Sequence, residues 1–211
     1  STIDLILEKD SDILLRGAVL VDESDPGEDP RLLFYLEHEV QDGSLDNAGQ
    51  PRVISKRLQF LEVDSQMNFQ RAGSAPYLDY RPLEEGEREL VEEILDAEWM
   101  QREWDYEVGN WAISNIVPAH VKEVKDRRLE LLDKIQQEVR ARLTQEINHW
   151  DHRAQDLRER ELAGKKTRLP AEQAEERARL LAERLASRLE EIERERHITA
   201  QPPRLPGGVL V

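Results

Sequence analysis

Residues 132–157 read LDKIQQEVRARLTQEINHWDHRAQDL, and residues 171–192 read AEQAEERARLLAERLASRLEEI. In the first stretch Leu132, Ile135, Val139, Leu143, Ile147, Trp150, Ala154 and Leu157 recur at steps of three and four, which keeps one apolar stripe on one face of an α-helix. Val121 and Val124 lead into it. The second stretch repeats the pattern through Ala174, Ala178, Leu181, Leu185, Leu189 and Ile192. Between them lie residues 164–170, with Gly164 as a C-cap and Pro170 as a first helical residue. Two stripes joined by a short breaker fold back and bury each other, so residues 120–197 are predicted to form one antiparallel, coiled-coil-like helical hairpin. At 1.5 Å per residue its unbroken first arm is about 60 Å long.

The rest of the hairpin surface carries both signs of charge. Glu130/Lys134, Glu138/Arg142, Glu175/Arg179 and Glu190/Arg194 stand four apart with the acid first, the favourable order, and Glu172/Glu176 is a like-charged exception. Such pairs mark a solvated exterior. A narrow, wet hairpin has little concave surface for chemistry and suits reach, spacing or contact.

Charged residues make up 36% of the 211-residue chain and aromatics 5%, so any globular core is modest. Residues 1–118 hold 10 Lys+Arg against 27 Asp+Glu, a net charge of −17, whereas residues 119–198 hold 19 against 18. The front half should repel nucleic acid, whose binding depends on neutralising phosphates. No run approaches the ~20 apolar residues of a membrane helix, and no signal peptide is evident. The absence of cysteine excludes disulfides and thiolate metal sites and fits a cytoplasmic setting. The chain opens inside a structured pattern and closes as a strand begins, which reads as a piece of a longer protein.

The front of the chain is expected to be an antiparallel sheet. Residues 13–21 form a strand bent at Gly17, and residues 22–30 a loop. Leu32, Phe34, Leu36, His38 and Val40 alternate with Leu33, Tyr35, Glu37 and Glu39, the period of a half-buried strand. Residues 42–49 turn the chain into a partner strand over 53–63. Residues 65–82 are expected to be irregular. An acidic helix starting near Leu83 then offers Leu90, Val91, Ile94, Leu95 and residues 97–99 as cover for the sheet. Trp99, Met100, Trp104, Tyr106 and Trp111 read as a core or anchoring cluster. Pro118 marks a kink or break before the long arm, and residues 201–208 a stiff connector into a strand at 209–211.

Catalytic signatures are missing from this layout. Residues 164–167 resemble the end of a phosphate-binding loop, but Glu159 stands where its first glycine belongs and no strand precedes it. Glu146 and His149 form a Glu-x-x-His unit, with His152 nearby, yet a bundle metal site needs a second such unit on the facing arm. No metal, cofactor-binding or catalytic residue is assigned. Lys165, Lys166 and Arg168, near Arg158 and Arg160, form a basic patch at the hairpin tip that can touch nucleic acid or an acidic partner.

The order of pieces is short strands, an acidic helix, a long charged hairpin, then a connector into an apolar strand. It resembles the C-terminal region of RapA-like helicases, the bacterial Swi/Snf-related ATPases. The matching stretches are residues 17–21 leading into 32–40, residues 121–161, and residues 189–211 with Pro202, Pro203, Gly207 and Gly208. The resemblance implies a parent protein that couples ATP hydrolysis, with Mg, to movement on DNA, and RNA polymerase as a possible partner beside the helicase core of the same chain. None of the family's catalytic motifs lies in this chain. The expectation is thus an α+β module, a small antiparallel sheet backed by a helix with the hairpin protruding from it, divided as residues 1–118, 119–198 and 199–211. Its expected role is accessory and non-catalytic, with at most weak nucleic-acid binding and no membrane contact. The rival is a free-standing coiled-coil adaptor that dimerises through the hairpin.

Overall fold

A computed structural model describes residues 18–25 and 29–211. The chain is mixed α and β, with an antiparallel curled sheet and two long helices, as expected. In order, the elements are β1 (Leu20–Val21), β2 (Arg31–Leu45), β3 (Pro51–Asp64), β4 (Phe69–Arg71), β5 (Arg81–Pro82), α1 (Arg88–Leu95), α2 (Trp104–Asn115), α3 (Val117–Leu162), α4 (Ala171–Glu195), β6 (Thr199–Ala200) and β7 (Arg204–Leu210). The main sheet runs β4-β3-β2-β6, and β7 also pairs with β2; β1 and β5 form a separate two-stranded ribbon. Two compact units divide the chain. One holds Val53–Val121, Ala200–Val211 and the described residues up to Gln41; the other holds Asp42–Arg52 and Lys122–Thr199.

In the first unit β2 is the central strand. Its partner β7 lies antiparallel, with Leu32 opposite Leu210 and Phe34 opposite Gly208. A Cβ on Gly208 would stand 2.7 Å from the Phe34 ring, so only glycine lets the aromatic lie across its neighbour. Leu32, Phe34 and Leu36 pack with Leu61, Val63, Val108, Ala112, Ile116 and Leu210. The strand is not half-buried as its alternation suggested: Leu33, Tyr35 and Glu37 are buried too. Among the described residues, contacts on that side come from distant positions in the chain. Tyr35 meets Phe60, which meets Tyr77, and Lys56 Nζ lies 2.7 Å from Glu37.

The helix that backs the sheet is α2, which brings Val108 and Ala112 to the core, and not the acidic stretch from Leu83. That stretch forms a short 3₁₀ turn and the eight-residue α1, on which Leu90 is 73% exposed. Only Ile94 of α1, with Trp99 and Met100 beyond it, reaches the core margin. The tryptophans are partly buried and pack against the core margin, whereas Tyr106, expected in the same cluster, is 67% exposed. Trp104 lies 5.6 Å from Phe34, Trp111 stacks on Phe69 at 5.6 Å, and Trp99 meets Trp104 edge-on.

Several local expectations can be compared with the structure. Residues 65–82 are not wholly irregular, since they contain β4, a 3₁₀ turn at Pro76–Asp79 and β5. Residues 42–45 continue β2 instead of turning; the turn sits at 46–50, where the Asp46 carboxylate accepts the N–H groups of Ala48 and Gln50. Of the expected strand at 13–21, residues 13–17 lie outside the described residues; Leu20–Val21 pairs with Arg81–Pro82. Pro118 does mark the break expected before the long arm: α2 ends at Asn115, Ile116 is its C-cap, and Pro118 is the second residue of α3, where a missing N–H costs no helical bond. The last strand also starts early, at Arg204.

In the second unit α3 and α4 run as an antiparallel pair. Val124, Leu132, Leu143, Ala154 and Leu157 are the buried positions on α3, and Ala171, Ala174, Ala178 and Ile192 on α4. Cross-arm polar contacts flank this seam. Arg158 pairs with Glu175, Arg196 donates to Asp133 and Gln136 at 2.6 Å each, and the Arg177 guanidinium lies 4.6 Å over the Trp150 ring. Among the described residues no helix is long and apolar enough to cross a membrane.

Candidate functional site

The hairpin tip is built by two capping devices. At the end of α3, Gly164 adopts φ 72°, its N–H donates to Glu161 O at 3.0 Å, and the Lys165 N–H reaches Arg160 O at 3.0 Å. This is a Schellman turn, and the left-handed position explains the glycine. Pro170 is the N-cap of α4 (φ −63°, ψ 145°), one position before the place expected for it. The Glu161 carboxylate then accepts the Thr167 hydroxyl at 3.2 Å and the Ala171 N–H at 2.9 Å. Beneath the turn Ala154, Leu157, Ala171 and Ala174 pack with Trp150 and Leu169.

Lys165, Lys166 and Arg168 are all exposed on this fixed turn. No ion pair among the described residues engages any of the three. Leu162, beside them, is 84% exposed. The N–H groups of Gly164, Lys165 and Ala171 are donated to Glu161 and Arg160.

The Glu-x-x-His unit lies on α3. Glu146 pairs with Arg142 at 3.0 Å, His149 sits edge-on to Trp150, and His152 is exposed. No group of three or more potential ligands gathers among the described residues.

Two buried polar clusters escaped the sequence reading. In the first unit His120 Nε2 lies 2.8 Å from Ser55 Oγ, and His120 Nδ1 lies 3.2 Å from His38 Nδ1. A serine beside a histidine is the geometry of an activated nucleophile. Here, however, both rings are 0–1% exposed, and the open grooves of this unit lie elsewhere, along Arg57–Phe60 and beside Val19 and Leu210. The trio fastens the sheet to the start of α3. Burial, the neighbouring His120 and the Arg57 charge push the His38 pKa down to about 4. The fold therefore holds His38 neutral, while the unfolded chain titrates it near 6.5. Between those values the unfolded state binds the extra proton, so stability should fall as pH is lowered from about 6.5 toward 4, by at most about 1.4 kcal/mol per pH unit. Urea midpoints at pH 7 and pH 5 should therefore differ less for His38→Gln than for the parent. An unchanged difference would mean that His38 titrates normally.

In the second unit Asp42, whose side chain is wholly buried, pairs with Arg52 and lies 3.6 Å from Arg128. Glu195 lies 2.6 Å from Arg128, 3.3 Å from Arg52 and 3.9 Å from Arg188. Asp42 Oδ1 also accepts the Ser44 N–H at 3.0 Å. Gly43 allows the close approach: a Cβ there would stand 2.5 Å from Arg194 O at the end of α4. The knot joins the turn of the β2–β3 hairpin to both helical arms.

A scan of family models, a search of curated proteins and a search of solved structures each find no match to this chain.

Proposed function

We propose that this chain is a non-catalytic contact module of an ATP-dependent DNA helicase or translocase of the RapA-like kind, meeting its partner through the tip of the helical hairpin. The observation that carries the contact role is the doubly capped tip. It holds Lys165, Lys166 and Arg168 outward on a turn fixed at both ends by N–H groups donated to Arg160 and Glu161. A rigid display of cations on a narrow arm suits recognition of an acidic surface more than turnover. The resemblance in layout supplies the parent protein, and with it RNA polymerase and the helicase core as partner classes.

Weak duplex binding is expected, because about three phosphate contacts give a salt slope near −2.7 at ~0.9 per contact. The net charge of −15 opposes anything tighter. Lys165→Glu/Lys166→Glu/Arg168→Glu should abolish the residual signal in a low-salt mobility assay while leaving the melting curve in place, since these exposed side chains bury little. Submicromolar, salt-resistant binding would overturn the reading. The translocase assignment has its own test in the gene surrounding these residues, which should encode an ATP-binding loop and an Asp-Glu box upstream. Their absence would sink it.

A second reading, a coiled-coil adaptor that dimerises through the hairpin, draws on Leu131 and Leu180, which are 46% and 51% exposed on the two arms. A monomer in sedimentation equilibrium at micromolar concentration would exclude it.

A further inference from the structure

A groove of about 500 Å³ opens in the first unit, lined by Val19, Phe34 and Val209 and by Leu95, Met100 and Trp104. Among the described residues no charged side chain lines it, and its one polar side-chain group is already engaged. That group is the Trp104 indole N–H, which donates to Met100 O at 3.3 Å. The volume falls within the range of about 300–1,000 Å³ common to ligand clefts. A cleft for a small molecule, however, carries a few placed polar groups that orient the ligand. This lining supplies no free side-chain group of that kind.

The polar groups stand beside the lining, and they are acids. Asp96 follows Leu95, Glu98 precedes Met100 by two residues, and Glu103 and Asp105 flank Trp104 in the chain. Successive Cα atoms are about 3.8 Å apart, so these carboxylates are held close to the groove. All four residues are exposed, and no ion pair among the described residues engages any of them. The cations nearest in sequence are tied elsewhere. Arg102 pairs with Glu107 at 3.2 Å, and Arg31, next to the lining Leu32, pairs with Asp22 and Asp25. Residues 83–110 as a whole hold 11 Asp+Glu against 2 Arg, a net charge of −9. An apolar centre inside a charged rim is the anatomy of a protein–protein contact, and the sign of the rim selects the partner.

We propose that this groove docks a basic, amphipathic segment of a partner protein. Its apolar side chains would fill the groove, and its lysines or arginines would meet Asp96, Glu98, Glu103 and Asp105. The apolar lining supplies the buried area that holds the segment, and the carboxylates steer it and set its charge. A second copy of this chain fits poorly, because the same four carboxylates would face each other across the contact. Nucleic acid fits no better, since its phosphates would meet acids. The site lies in the other unit from the cationic hairpin tip and has the opposite sign, so it calls for a different partner surface.

The test uses the whole chain and a fluorescein-labelled peptide of lysine, leucine and phenylalanine, read by anisotropy. The peptide should bind saturably. Replacing its leucines and phenylalanines with serine should weaken binding at least about tenfold, because the groove then gains no apolar area. Replacing its lysines with glutamate should weaken it to a similar degree. On the protein side, Asp96→Lys/Glu98→Lys/Glu103→Lys/Asp105→Lys should lose at least about tenfold, with circular dichroism confirming its fold. Leu95→Gln, at a position 39% exposed, should lose about fivefold. The peptide variants and Leu95→Gln keep the test decisive if the fourfold variant does not fold. Absence of binding at millimolar peptide would overturn the proposal. Equal binding of the serine peptide would also overturn it, since attraction to an acidic surface would then explain everything. So would self-association of the protein that is lost in Leu95→Gln, which would give the groove to a second copy. Binding seen only after removal of residues 1–17 would count against it equally, because the groove would then be filled from within the chain.

Discussion

Leu132→Asp should unfold the helical unit, while Leu131→Asp, one residue away, should leave it almost unchanged. Leu132 is 0% exposed on the seam of α3, and its neighbour is 46% exposed. An ionised carboxylate at the buried position loses its hydration and gains no partner, which costs several kcal/mol. Domains of this size are stable by only about 5–15 kcal/mol, so the change consumes much of the margin. At the exposed position the carboxylate stays in water, and surface changes of that kind usually fall within about 0.5 kcal/mol. Helical ellipticity at 222 nm and the thermal midpoint should collapse for the first variant and hold for the second. Equal effects would mean that the arms do not bury each other along this face.

Arg128→Met should destabilise the same unit by about 3 kcal/mol, the scale of breaking one side of a buried ion pair. Methionine retains most of the apolar stem, so the loss is one of charge. It leaves Glu195 without its 2.6 Å partner and Asp42, wholly buried, dependent on Arg52 and the Ser44 N–H. The informative comparison is Arg128→Met/Glu195→Met, which removes the uncompensated carboxylate together with its partner. The double variant should recover part of the loss, because apolar replacement of a buried pair is often near neutral. Urea unfolding of the four proteins in this cycle gives the coupling directly. Strict additivity would show that Arg128 acts by packing alone.

These two sites lie on opposite sides of what residue order reveals. Leu132 was legible as core because the stripe from Leu132 to Leu157 repeats at the helical period, and that period is a local property of the chain. The breaker was legible for a similar reason. Gly164 takes the left-handed position that closes α3, and Pro170 marks the entry to α4 within one residue. The packing of the tryptophans against the core was legible from size and apolarity, but the exposure of Tyr106 among them was not. The exposed tip of Lys165, Lys166 and Arg168 followed from the turn. What these cations recognise did not follow, because a cluster of lysines and an arginine attracts any anion alike.

Other features existed only once the chain was folded. Asp42, Arg128 and Glu195 are separated by tens of residues, as are His38, Ser55 and His120, so no window of sequence contains any of these contacts. α2 was missed as the sheet's cover because its buried Val108 and Ala112 share a short segment with the exposed Tyr106 and Ile113, which blurs the amphipathic period. The full burial of β2 was hidden as well. Alternation reports one apolar face, but Lys56, Phe60 and Tyr77 supply the other cover from distant positions. Local periodicity and turn chemistry thus determined the helical hairpin, its turn and its wet exterior, since each depends on residues within a few positions of one another. Tertiary structure alone decided the sheet's cover and the buried ionic and histidine clusters, because burial and pairing depend on which distant segments arrive beside a residue.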